Sequence, residues 1–240
     1  RQLLSAVELA KQTDLDFIAV LGDLTSGGNT MTKDMVLKRY KEMMRILKDA
    51  NIPVLFAKGN HDDNTHKTNN AQMTSDIAVM PSEYVSRVVA PSARVIHDSQ
   101  NKDSGYYYKD FTDKKMRVIT LDYLDYPIEY SGDYLVYTGG QGNYRGFSER
   151  QMQWLASEAL SFTESGWKVV ILCHYSTNPT IIGSSASTLK YRTTCEGIIK
   201  AFNTATTFTD SYVSCDFTSN VNKIVSFHSG HNHSEIVLQD

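Results

Sequence analysis

The stretch Phe17-Ile-Ala-Val-Leu-Gly-Asp23 decides how this chain is read. A short continuous apolar run suits a β-strand covered on both faces. Gly22-Asp23 ends it, which leaves a carboxylate just beyond the strand's C-terminal end. Open α/β sheets bind their ligands at that edge. On its own, a Gly-Asp pair reads equally well as a turn with a capping aspartate. Repetition of the pattern gives it weight.

Pro53 opens a second buried run, Val54-Leu-Phe-Ala57, and Gly59-Asn60-His61-Asp62 follows it. A third, Lys168–Leu172, ends at Cys173-His174, and a fourth, Lys223–Phe227, precedes Gly230-His231-Asn232-His233. Each of these ends carries residues able to ligate a metal. Asn60 offers a neutral carbonyl oxygen. His61 can ligate or act as a general acid or base. Asp62 can accept the other N–H of that ring and so fix its tautomer. His231 and His233, two apart on an extended segment, face the same side. His174 alone would read as a core histidine, and it joins the set by repeating the pattern. His66 and His97 lie in polar stretches and read as solvated, and His228 reads as core or surface.

Between these runs the spacing predicts helices over residues 2–12 and 33–50, so the first two strands form a parallel βαβ unit. Tyr106–Phe111 and Met116–Asp122 read as strands of a hairpin. The Gly- and Tyr-rich stretch Tyr126–Tyr144 reads as a long loop. Ser148-Glu-Arg-Gln151 fits a capping box that opens a helix. A further helix is expected near Leu189–Phe202, and Glu235–Leu238 begins a fifth strand. No repeat or linker interrupts the chain, so residues 1–240 read as one domain.

The net charge is −3 and no basic run stands out, so there is no electrostatic case for a nucleic-acid partner. No stretch approaches the ~20 apolar residues of a membrane span. No signal peptide is visible, and the compartment stays open. Cys173, Cys195 and Cys215 form no CxxC pair, which argues against a thiolate zinc site. A Cys195–Cys215 disulfide is conceivable, but reduced thiols are the simpler reading.

Together these blocks resemble the calcineurin-like metallophosphoesterase family. Its pattern runs Asp-x-His, Gly-Asp, Gly-Asn-His-[Asp/Glu], a lone His, then Gly-His-x-His, and the last four blocks stand here in order. The resemblance implies an α/β fold, a four-layer α-β-β-α sandwich of two mixed sheets flanked by helices. It implies two divalent metal ions (Mn, Fe or Zn) and a small phosphorylated substrate. Asp23 would bridge the ions. Asn60, His174 and His231 would complete one site, and His233 would serve the other. A bridging hydroxide would attack phosphorus in line, while His61, partnered by Asp62, assists the leaving oxygen.

The Asp-x-His block is absent, and the chain opens at the helix that follows it in the family. The expectation is therefore a domain incomplete at its N-terminus, and at its C-terminus too, since the family adds strands after Gly-His-x-His. For such a chain the expectation is two ions, or one alone. Ser26 stands where purple acid phosphatases have a tyrosine. Gly22-Asp-Leu-Thr-Ser-Gly-Gly28 departs from the pattern of protein Ser/Thr phosphatases. What remains is similar to bacterial phosphomonoesterases and small phosphodiesterases. The alternative is a degenerate member that binds metal or a phosphorylated ligand without turnover.

Overall fold

The computed structural model describes residues 2–27, 31–65, 74–125, 128–131, 134–137, 145–182 and 189–232. The first helix, α1 (Gln2–Gln12), leads to strand β1 (Ile18–Val20), helix α2 (Lys33–Lys48) and strand β2 (Val54–Phe56). Helix α3 (Pro81–Tyr84) runs into a π-helical turn (Val85–Val89). Strands β3 (Ile96–His97), β4 (Tyr107–Phe111), β5 (Met116–Leu121), β6 (Ile128–Ser131), β7 (Tyr134–Tyr137) and β8 (Arg145–Gly146) follow. Helix α4 (Glu149–Trp154) precedes β9 (Lys168–Cys173), α5 (Pro179–Ile182), β10 (Leu189–Lys190) and α6 (Arg192–Thr204). The last described strands are β11 (Thr207–Thr209), β12 (Ser214–Asp216) and β13 (Lys223–Ser229).

Five strands form a mixed sheet in the order β13-β9-β5-β4-β3. β13, β9 and β5 run parallel, and β4 and β3 are antiparallel additions. β1 and β2 pair parallel in a separate sheet, as a βαβ unit requires. The two faces of the larger sheet follow from the strand period of two. Ile119 and Leu121, with Val169, Ile171 and Cys173, meet Trp154 and Leu155 of the α4 region and Ile198 and Phe202 of α6. Val118 and Leu172 turn the other way and pack in one cluster with Val54, Leu55 and Phe56 of β2 and Val36, Tyr40 and Leu47 of α2. The layers are therefore helices, large sheet, small sheet, helices, as expected. Among the described residues the second sheet is a parallel pair rather than mixed.

One phenol ties the two sheets together. The Tyr107 hydroxyl donates to the Phe56 carbonyl at 2.9 Å and accepts from the Phe56 N–H at 2.7 Å. β2 thereby finds partners for backbone groups that its one strand neighbour leaves over.

Three expectations need correction. Part of the stretch read as a long loop forms an antiparallel hairpin, β6–β7, with Ile128 opposite Tyr137. Its aromatic and β-branched residues favour strands despite the glycines nearby. The capping box at Ser148 is half-formed. Ser148 Oγ accepts from the Gln151 N–H at 3.0 Å, but the Gln151 amide instead brackets Asp122, accepting from its N–H and donating to its carbonyl. The helix near Leu189–Phe202 starts later, after the short strand β10. Glu235–Leu238 lies outside the described residues.

Candidate metal centre

The small sheet and the large sheet present their parallel strand ends on the same side. After β1 come Leu21-Gly22-Asp23, and after β2 come Gly59-Asn60-His61. β9 and β13 end in register, Cys173 opposite Ser229, so His174 and Gly230 leave the sheet together. The Gly230 N–H donates to the His174 carbonyl at 3.0 Å.

Two glycines let the turns close on each other. A Cβ on Gly59 would lie 2.2 Å from the Asp23 nitrogen, and one on Gly22 would lie 2.5 Å from Nδ1 of His174. No side chain fits in either place. Asp23 and His231 themselves adopt left-handed backbone, φ 55° and φ 67°. Such conformations are uncommon outside glycine and gather at functional sites.

The result is a cluster of four side chains from four strand ends. Nε2 of His174 lies 3.2 Å from Oδ1 of Asn60, 3.2 Å from Nδ1 of His231 and 3.4 Å from Oδ2 of Asp23. Nδ1 of His231 lies 3.0 Å from the same Asn60 oxygen. They adjoin a cleft of about 240 Å³ lined by Leu21, Gly22, Ser229 and Gly230.

The donor set fits a cation. Nδ1 of His174 sits 2.5 Å from the Leu21 carbonyl, which can only accept. Nδ1 is therefore the protonated nitrogen, and in the neutral ring Nε2 carries a lone pair. That lone pair points at a carbonyl oxygen and a carboxylate oxygen. Three electron-rich atoms facing one another are mutually repulsive unless positive charge lies among them. Two nitrogens and two oxygens of this kind suit a first-row divalent ion. The backbone carbonyl behind His174 is the orienting partner that ligating histidines commonly have.

Asp62 corrects the expectation made of it. Its carboxylate accepts from the backbone N–H groups of Gly59 (2.7 Å), Asp23 (3.0 Å), Leu24 (2.6 Å) and Thr25 (3.4 Å). It thus clamps the turn after β1 to the turn after β2, and is fully buried. Burial pushes its carboxyl up to about 7, against the pull of the N–H donors, with the Asp23 charge adding to the rise. The His61 ring is oriented by another group, the Ser26 carbonyl, which meets Nδ1. The His61 N–H donates to Oδ1 of Asp23 at 3.1 Å. Half-buried, His61 stands beside the four-residue cluster rather than within it.

His233 and His66 lie outside the described residues. His97 is not simply solvated. Half-buried in β3, its Nδ1 contacts the Ser104 carbonyl at 3.2 Å, and burial lowers its pKa. His228 is exposed, as one of its two readings had it. All three cysteines are free thiols.

Sequence reasoning missed several supports. Leu21 and Ser26 act through backbone carbonyls, which no motif reports. Tyr123 stacks on His174 with ring centroids 5.7 Å apart, and Tyr175 lies 4.4 Å from the His231 ring. Lys58 forms a buried ion pair with Asp122 at 2.6 Å. Asp122 and Tyr123 directly follow β5, so the strand-end rule that found the other residues would have found these too.

A comparison with curated proteins gives no match. Among solved structures, the chain is similar to a dimetal phosphatase from Danio rerio. The two share 15% identity and a TM-score of 0.59, over 93% of this chain and 76% of that one, which is a likeness of fold. No helix among the described residues is long and apolar enough to cross a membrane. The family model for calcineurin-like phosphoesterases matches residues 1–235. The chain therefore belongs to the calcineurin-like phosphoesterase family, metal-dependent enzymes that hydrolyse phosphoric esters.

Proposed function

We propose that Asp23, Asn60, His174 and His231 hold a divalent cation and that ester hydrolysis takes place beside it. The observation that carries this reading is the lone pair of His174 Nε2 facing oxygens of Asn60 and Asp23, in a geometry that only positive charge relieves. A bound divalent cation would supply Lewis acidity toward the phosphoryl group and lower the pKa of water.

The chain's own residues would do the rest. Asp23 Oδ2 faces the cluster, and its Oδ1 takes one N–H bond from His61. The second oxygen keeps a lone pair for another ion, with His233 as the further ligand, so a two-ion site is the fuller form. The Ser26 carbonyl accepts from Nδ1 of His61, so in the doubly protonated ring the Nε2–H is the one that would pass to the departing alkoxide, leaving the neutral imidazole with its remaining proton on Nδ1. Asp62 keeps the two turns at fixed spacing, so cluster and proton donor stay in one relation. Tyr123 and Tyr175 wall the rings from water.

The test is elemental analysis after incubation with Mn²⁺, paired with hydrolysis of p-nitrophenyl phosphate and bis(p-nitrophenyl) phosphate. The expected outcome is bound metal and chelator-sensitive turnover. The faster ester assigns monoesterase or diesterase. A chain that binds no metal and cleaves neither ester would sink the proposal.

A further inference from the structure

A second cavity, of about 360 Å³, opens at the C-terminal end of β5. It lies at the same sheet edge as the metal centre, one strand further along. Lys58, in its wall, stands two residues before Asn60. Asp122, opposite, directly precedes Tyr123, which stacks on His174. Two turns thus carry residues of both the cavity wall and the metal centre.

Its chemistry is mixed in a particular way. Lys58 and Asp122 are both buried, and they neutralise each other at 2.6 Å. Arg150, at the mouth, is held from behind by the fully buried Asp98, with Nε 2.6 Å from Oδ2, and by Glu158 at 3.2 Å. Neither cation is left to bind a second anion. Asp103 and Asp125 add acceptors, and Asn101, Ser104 and Ser148 add short hydrogen-bonding groups. Oδ2 of Asp125 already accepts from Ser148 and from Gln151 at 3.2 Å, so this wall is held in place. Pro81 and Leu124 give the lining an apolar side.

An amine would meet Lys58 and Arg150. A phosphate would meet Asp103, Asp122 and Asp125. A purely aliphatic group would strip water from these polar walls and offer them no hydrogen bond in return. A ring carrying several hydroxyls suits all of them, because each hydroxyl both donates and accepts while the C–H face needs apolar cover. The volume is within the range of small-molecule sites.

We infer that this cavity receives the alcohol part of the ester, and that the alcohol is a polyhydroxylated ring such as a sugar or cyclitol. The inference rests on the hydrolase reading above and names its substrate class. The pocket residues bind and orient the leaving group. They exchange no proton with it.

The experiment compares glucose 6-phosphate with ethyl phosphate, an ester of the same primary-alcohol chemistry without the ring. kcat and KM are measured on the Mn²⁺-loaded chain, and backbone amide shifts of residues 101–106 are followed during titration with each ester. The expected result is a preference of about tenfold or more in kcat/KM for the sugar ester, since sites built to bond hydroxyls discriminate strongly against analogues lacking them. The sugar ester alone should shift the 101–106 amides. Asp125→Asn, and independently the exposed Asp103→Asn, should raise KM for glucose 6-phosphate several-fold and shrink the ratio between the esters. Equal kcat/KM for both esters, with no sugar-specific shifts, overturns the inference. So does an equal loss on both esters in the variants. Sugar-specific shifts without hydrolysis of either ester support the cavity assignment while removing the hydrolase reading.

Discussion

Nε2 of His174 lies 3.2 Å from Oδ1 of Asn60, a residue 114 positions earlier in the chain. The proton that could have joined them is on the far side of the ring, at the Leu21 carbonyl. In the neutral ring the contact is therefore a pair of acceptors, held together by the sheets on which they stand.

Removing one member should expose that dependence. Asn60→Ala is expected to weaken Mn²⁺ binding by at least tenfold, because even outer partners of a metal site are worth 10–100-fold in affinity. Isothermal titration checks it. The metal-free variant should melt no lower than the metal-free parent, since the repulsion is gone. A variant that binds Mn²⁺ as tightly as the parent would show that Asn60 is not a ligand.

Metal should also stabilise the fold as a whole. At one hundred times its Kd, a cation bound only by the native state adds about 2.7 kcal/mol. For a chain of this size that is a rise of roughly 5–10 °C in Tm. Thermal denaturation with Mn²⁺ and then with a chelator reads the difference, and a Tm indifferent to both would contradict a preformed site.

Asp62 is expected to matter for stability before chemistry. Asp62→Ala leaves four backbone N–H groups without their acceptor in the interior, at a cost of about 1–3 kcal/mol for each group that finds no new partner. Urea unfolding should show a loss of several kcal/mol. If the same variant kept full stability and lost only turnover, the clamp would be the wrong account and a direct role beside His61 the right one.

His61→Gln should keep the metal and the fold yet slow hydrolysis by ~10²-fold or more, as expected for loss of a general acid. The deficit should shrink with an ester whose leaving group needs no proton, such as p-nitrophenyl phosphate against an alkyl phosphate. An equal deficit on both would point to substrate binding instead.

Acid should loosen the Asp98–Arg150 contact. Burial alone would raise the Asp98 carboxyl, but the Arg150 guanidinium, the Gln100 N–H and the Tyr106 hydroxyl outweigh it and hold the pKa below the ordinary value. A carboxylate depressed in the folded state adds stability above its unfolded pKa of about 4 and loses it as pH falls through the folded value. Urea midpoints should therefore begin to drop as pH falls through about 4 and go on dropping below it. In Arg150→Met the neutral-pH midpoint should be lower and this part of the acid-dependent drop absent. An unchanged drop would assign the acid sensitivity to other carboxylates.

The four strands and their order were legible because continuous apolar runs are local signals, but only β2 and most of β9 are buried as read, while β1 and β13 keep exposed positions at Ala19 and Val225. The residues just beyond each strand were legible for a related reason, since parallel strands send their C-terminal ends to one edge of their sheet, and the two sheets here bring those edges together. Asp23, Asn60, His174 and His231 could thus be named as a group before their positions were known. The β6–β7 hairpin was not legible, because its glycines and tyrosines suit a loop as well as a strand. The second role of Gln151 was also hidden. A capping box is read from spacing along one helix, while the bonds to Asp122 depend on how α4 lies against β5.

What the sequence by itself determined is which residues leave the strands and in what order. The tertiary structure alone decided what holds them. The Leu21 carbonyl behind His174, the Ser26 carbonyl behind His61 and the Asp62 carboxylate across two turns are contacts between segments 35–153 residues apart. Backbone carbonyls and N–H groups are the same at every position of a chain. Which of them faces a given side chain therefore depends on how closely two turns pack, and here two glycines without side chains set that distance.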